Sequence, residues 1–206
     1  MTGHVRRAML IAALVAAAPV AAQAQAVPRP DAAAASRALT QEVLGIFETV
    51  CLAAMVSGEA VPAVVARVLG AAAAPLPAAQ LRGTDQVRET GGWMVSGQFG
   101  RYRLNTIEPG EQCGLLAEGV DHDAFLAGTM RIMGRGGDLM PGWTATGTPQ
   151  RQAGARPFGT LTYVSANYVG NTTPPRMLTI TGSAAARTDG RPNTGVVSSA
   201  LRDPAR

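Results

Sequence analysis

Apolar residues recur at helical spacing through Leu39, Val43, Ile46, Phe47, Val50 and Ala54, and Ser57-Gly58 ends the run. The spacing predicts a first helix from Ser36, the expected N-cap, to Ser57. Cys51 stands one turn after Phe47 and one turn before Met55, so its sulfur is expected on the core side. Pro62 fits the first turn of a second helix ending at Gly70, with Val64, Val65, Val68 and Leu69 as its apolar stripe. Periodicity is then lost from Ala71 to Gly92, where Pro75, Pro77, Gly83 and Gly91-Gly92 predict a surface linker.

The period next changes to two. Trp93 to Gly97, Arg101 to Ile107 and Gln112 to Gly119 alternate as antiparallel strands do, and Glu108-Pro109-Gly110-Glu111 has the residues of a type II turn. Alternation places Tyr102, Leu104 and Thr106 on one face and Arg101, Arg103 and Asn105 on the other; Cys113, Leu115 and Ala117 also share a face. Asp121 is the expected cap of a helix running through Phe125, Leu126, Thr129, Ile132 and Met133 to Gly134. Trp143 to Gly147, Phe158 to Val169 and Arg176 to Gly182 read as three more strands, with Asn171 to Pro175 as a turn. Ser183 to Arg206 is small, polar and interrupted by Pro and Gly, and most of it is expected to be disordered.

These elements predict an α+β domain, an antiparallel sheet of about five strands with two or three helices packed on one face. A sheet curled around the first helix is the alternative. Gly92-Trp93 and Gly142-Trp143 are each followed by three residues and a Gly, and each opens a strand run that follows a helix. That spacing suggests an α-β-β unit used twice, and coincidence explains it equally well.

Ahead of the domain stand Arg6-Arg7, an apolar run from Ala8 to Ala22, and Ala24-Gln25-Ala26. This is the form of a cleaved export signal, and the run of about 15 residues is shorter than the roughly 20 that span a bilayer. The expected organisation is a signal over residues 1–26, a flexible leader over 27–35, one domain over 36–182 and a tail over 183–206. Periplasm or exterior is the expected location, without a membrane anchor. The arginine pair fits either the general secretory or the twin-arginine route.

Removing Arg6 and Arg7 takes the formal charge from +4 to +2. So small a charge, with four Phe, three Tyr and two Trp in the chain, argues against a nucleic-acid partner. Leu, Ile, Val and Phe make up about a fifth of the residues after the signal, a thin supply for a core. The two cysteines then have an evident use: in an oxidising compartment Cys51 and Cys113 have one possible pairing, worth about 4 kcal/mol in the chain-entropy model. No Cys-X-X-Cys and no adjacent basic group argues for a reactive thiol. With Phe47, Cys51, Trp93 and Cys113 in this order, the stretch Leu39 to Met133 resembles uncharacterised small exported two-cysteine proteins of Gram-negative bacteria. The resemblance implies no activity.

Catalytic groupings are mostly excluded by counting. After the signal one histidine remains, His122, and no Ser lies in a Gly-X-Ser-X-Gly elbow. Asp121, His122 and Asp123, with Asp138 or Glu118, are a candidate polar or cation site; the competing reading is a helix N-terminus whose aspartates cap backbone N–H groups, with His122 exposed. Glu108, Glu111 and Glu118 flank a turn and read as a solvated rim. Gly134-Arg135-Gly136-Gly137 lacks the residues of a phosphate loop. Arg101, Arg103, Arg131 and Arg135 are a candidate anionic-ligand patch, against the reading of solvated surface arginines. No metal and no cofactor is called for. The expected function is a non-catalytic exported protein that binds a partner protein or envelope component through its sheet face and loops; the alternative is a hydrolase of envelope material with a carboxylate site.

Overall fold

The computed structural model describes residues 31–83, 88–108 and 111–202. The expected signal, residues 27–30 of the leader and the central residues of the Pro109-Gly110 turn lie outside the described residues. Helix α1 spans Ala32–Ser57. It begins four residues before the expected Ser36, because Asp31 is the cap and its side chain accepts from the Ala34 N–H. Its turn Phe47–Leu52 is a wide π-helical one, and Phe47, Val50, Cys51 and Leu52 are all buried there. The wider turn shifts the apolar stripe by one position, so that Val43 and Leu44 before it and Ala54 and Met55 after it also face inward. By length and composition α1 could cross a membrane, yet half of that stretch is buried inside the domain, as a core helix is.

Helix α2, Val61–Val68, follows with Pro62 in its first turn. Helix α3, His122–Gly134, is capped by Asp121, and the short α4 covers Gly136–Leu139. Among the described residues nine strands form one antiparallel sheet: β1 Ala73–Pro75, β2 Arg88–Ser96, β3 Arg101–Glu108, β4 Glu111–Glu118, β5 Trp143–Ala145, β6 Gln150–Arg156, β7 Gly159–Gly170, β8 Met177–Arg187 and β9 Thr194–Arg202. Their spatial order is β1-β2-β3-β4-β9-β8-β7-β5, and β6 pairs with the other half of β7. The fold is thus α+β with nine strands rather than about five. Part of the region expected as linker is β1 and the start of β2. The two Gly-Trp segments take different places, Trp93 on the long β2 between two neighbours and Trp143 on the three-residue β5 beside β7 alone.

The expected disordered tail is the main correction. Ser183 to Arg187 complete β8, and residues 194–202 form β9 in the middle of the sheet, paired with β4 on one side and β8 on the other. Val197 and Leu201 supply its core contacts and Val196 faces outward, a weak alternation among Ser, Ala and Gly. Burial is supplied by the neighbouring strands rather than by the segment's own composition.

Tyr102, Leu104, Cys113, Leu115, Val197, Leu178, Ile180, Val164 and Tyr168 line one sheet face and are buried under the helices. Close approach compensates for the scarcity of large residues. A Cβ on Gly195 would lie 2.8 Å from the Phe125 ring, and one on Gly182 would lie 2.7 Å from Thr129 Cγ2, so α3 sits directly on backbone at both positions. Tyr168 donates its hydroxyl to the Met133 carbonyl at 2.6 Å and ties the end of α3 to β7.

Cys51 in the wide turn of α1 is bonded to Cys113 on β4, with 5.2 Å between their Cα atoms, and both are fully buried. The bond closes a loop of 62 residues. Replacing both with serine is expected to lower the unfolding free energy by about 4 kcal/mol in urea titration, and thiol titration without reductant is expected to find no free sulfhydryl. Two titratable thiols in the folded protein would contradict the bond.

Candidate functional site

The four arginines of the candidate patch are not brought together. Arg101 and Arg103 alternate with the buried Tyr102 and Leu104 and so lie on the sheet face away from the helices, whereas Arg131 on α3 and Arg135 just past its end are exposed across the sheet. Arg103 is also engaged: it is ion-paired with Glu89 and donates to the Gln80 carbonyl at 2.9 Å. Glu89 further accepts from the Arg82 N–H at 2.7 Å and from Asn105 Nδ2 at 2.8 Å. Burial pushes the Glu89 carboxyl up, and these donors outweigh it and hold the group below its ordinary value. Leu76 and Leu81 stand over Gly92 nearby, so residues 76–82 strap down one end of the open face.

The Asp121, His122 and Asp123 cluster is a helix N-terminus. Asp121 Oδ1 accepts from the Ala124 N–H at 2.9 Å, and the Asp121 N–H donates to Thr40 Oγ1 at 2.9 Å, which fixes this end of α3 to α1. Asp123 points to solvent. His122 departs from the expectation of an exposed ring: its side chain is 16% exposed, Nδ1 is 2.9 Å from Asp123 Oδ1, and Nε2 is buried without a hydrogen-bond partner among the described residues. Asp138 and Glu118 are exposed, and Glu111 pairs with Arg176 at 2.8 Å. Among the described residues no group of three His, Cys, Asp or Glu side chains is placed to hold a metal ion.

A carboxylate that periodicity did not single out organises the other end of the sheet. Glu42 on α1 accepts from the Tyr102 hydroxyl, from the Gln98 N–H at 2.6 Å and from the Phe99 N–H at 3.0 Å. It thereby holds the β2–β3 turn, whose Phe99 side chain is exposed. A Cβ on Gly97 would lie 2.6 Å from the carboxylate, so the approach requires glycine. Burial pushes the Glu42 carboxyl up, and the three donors more than reverse that. The Tyr102 hydroxyl is raised by burial and by the same hydrogen bond. Only its place on the flank of the apolar stripe, one turn from both Leu39 and Ile46, hinted at this contact; its partner lies far along the chain.

What remains accessible is the middle of the open face. Strand register lines up Met94, Arg103, Leu116, Val196, Ser183, Tyr163 and Gln152 across it, and Asn105, Gly114, Ser198, Thr181 and Ser165 in the next row. Thr181 and Ser198 share a hydrogen bond at 2.8 Å, and Thr179 donates to Asn167 Oδ1 at 2.8 Å. Tyr163 is 41% and Val196 37% exposed, two strands apart and therefore about 10 Å from each other. The surface offers hydroxyl and amide groups around two exposed apolar side chains. A scan against protein-family models finds no match, and searches of curated proteins and of solved structures find none either.

The Glu42 cage generates a pH dependence. Its folded-state carboxyl lies below the ordinary 4.5, so the stability it adds is fully present above 4.5 and is lost as pH falls through the lower folded value. Glu42→Gln is expected to cost about 1–3 kcal/mol at pH 7 and progressively less as the solution is acidified toward pH 3, measured by urea unfolding. A difference that stays constant over that range would contradict the assignment.

Proposed function

We propose that this chain is an exported, non-catalytic binding protein of the bacterial envelope that engages a partner protein or envelope component through the open face of its sheet. The observation that carries this reading is the division of the sheet: one face is taken up by the helices, and the other presents Tyr163 and Val196 among Ser, Thr and Asn side chains. An exposed aromatic ring amid satisfied small polar groups is the make-up of a contact surface, since rings supply area at little entropic cost. Asp121, Glu42 and Glu111, by contrast, are engaged in capping, caging a turn and pairing with arginine, and among the described residues no acid converges with a base, which weighs against the hydrolase reading. Export is supported by the form of Arg6 to Ala26 and by the buried disulfide, which suits an oxidising compartment.

Exported material is expected to begin near Ala24 to Val27, as read by intact mass; retention of Met1 to Ala22 would remove the compartment argument. A photo-crosslinking side chain placed at Tyr163 is expected to form a covalent adduct in the envelope, while the same group at Arg131 on α3 forms none. Equal adducts at both positions, or none at Tyr163, would overturn the face as the contact surface.

A further inference from the structure

The borders of the sheet differ in a way that the folding of the domain does not require. Strand β1 has three residues and ends in Pro75, and β5 has three residues. Short length and proline are ordinary means of closing an edge to further pairing. Strand β6 is longer, and its prolines, Pro149 and Pro157, stand outside it at either end. Its seven residues, Gln150–Arg156, contain no proline and pair with β7 alone, and every one except the half-buried Gly154 is exposed. Among the described residues nothing pairs with its outer side, so alternate N–H and C=O groups along it are open to an incoming strand.

Its side chains narrow the choice of strand. Ala153, Gly154 and Ala155 present no bulk, and the only charges are Arg151 and Arg156, with no acid. A second copy pairing antiparallel about the strand's centre sets Arg151 against Ala155 and Arg156 against Gln150, and so brings no acid to either arginine. The same positions attract carboxylates. Five residues separate the arginines, which therefore project to opposite faces of the sheet. We propose that β6 is a docking edge to which an extended acidic peptide of a partner protein adds as a further strand, one carboxylate opposite Arg151 and another opposite Arg156. Main-chain hydrogen bonds supply the affinity and the spacing of the two acids supplies the selectivity. The proposal rests on the reading of the chain as a binding protein and adds a second surface, distinct from the open face.

The test uses the full exported chain and the fluorescent peptide Thr-Asp-Thr-Val-Thr-Val-Asp-Thr, whose acids have the required spacing. Anisotropy at low salt is expected to show binding that weakens at least tenfold when both peptide acids become lysine, and as much for Arg151→Glu with Arg156→Glu. That doubly reversed variant is expected to bind the lysine peptide instead, which shows that it still folds. Hydrogen exchange is expected to slow at alternate amides of β6 when peptide is present. Failure of the acidic peptide to bind, binding without protection of β6, or equal binding by the reversed variant would overturn the proposal. So would concentration-dependent self-association that protects β6, which would assign the edge to a second copy. These outcomes leave the Tyr163 adduct unaffected, and loss of that adduct with β6 still protected would remove the face reading alone.

Discussion

A wide sheet has to be covered by few large side chains, and the way α1 and α3 press onto its backbone follows from that shortage. Gly182 and Gly195 leave room for Thr129 and Phe125, and Gly128 on α3 stands against Leu44 of α1, so helix meets strand and helix meets helix with little between them. Close approach gains dispersion contacts that bulk would otherwise supply. It also makes the arrangement intolerant of added volume at those glycines. The disulfide between Cys51 and Cys113 acts at the centre of the same interface, joining the wide turn of α1 to β4.

Polar groups do the positioning that the thin core leaves undone. Glu42 and Glu89 each gather three donors at opposite ends of the β2–β3 hairpin, one from the helix side and one beneath residues 76–82. Thr40 links α1 to the start of α3, and Ser36 donates to the Gly119 carbonyl close by. Like His122 Nε2 and Arg103 Nε, Ser199 is an exception. The Ser199 hydroxyl is buried beside Cys113 in the strand register and has no partner among the described residues.

The same economy separates the two sides of the molecule. Large apolar residues are concentrated on the helix-facing side, so the other face is left to small hydroxyl and amide residues that satisfy one another across strands. Edges are treated unequally: brevity closes β1 and β5, while the longer β6, set between Pro149 and Pro157, carries arginine as its only charge. Surfaces that contribute little to folding are free to differ in this way, because packing does not dictate their residues.

The first helix, the Asp121 cap, the hairpin strands and the cysteine pairing were legible in the chain because each rests on a local signal: a period of 3.6 or 2, a capping side chain, or a count that admits one partner. Strand β9 was not legible. Its stretch from Thr194 to Arg202 is small and polar, and only pairing between β4 and β8 buries it. The Arg patch failed for a related reason, since strand alternation is local but which face α3 covers is not. Glu42 and Tyr102 lie 60 residues apart, and no spacing announces such a contact. By itself the sequence determined the main helices, the hairpin strands and which sides of them are apolar. Tertiary structure decided which polar groups meet, which small segment becomes a central strand, and which face and edge of the sheet stay uncovered, because these depend on long-range pairing that local patterning does not encode.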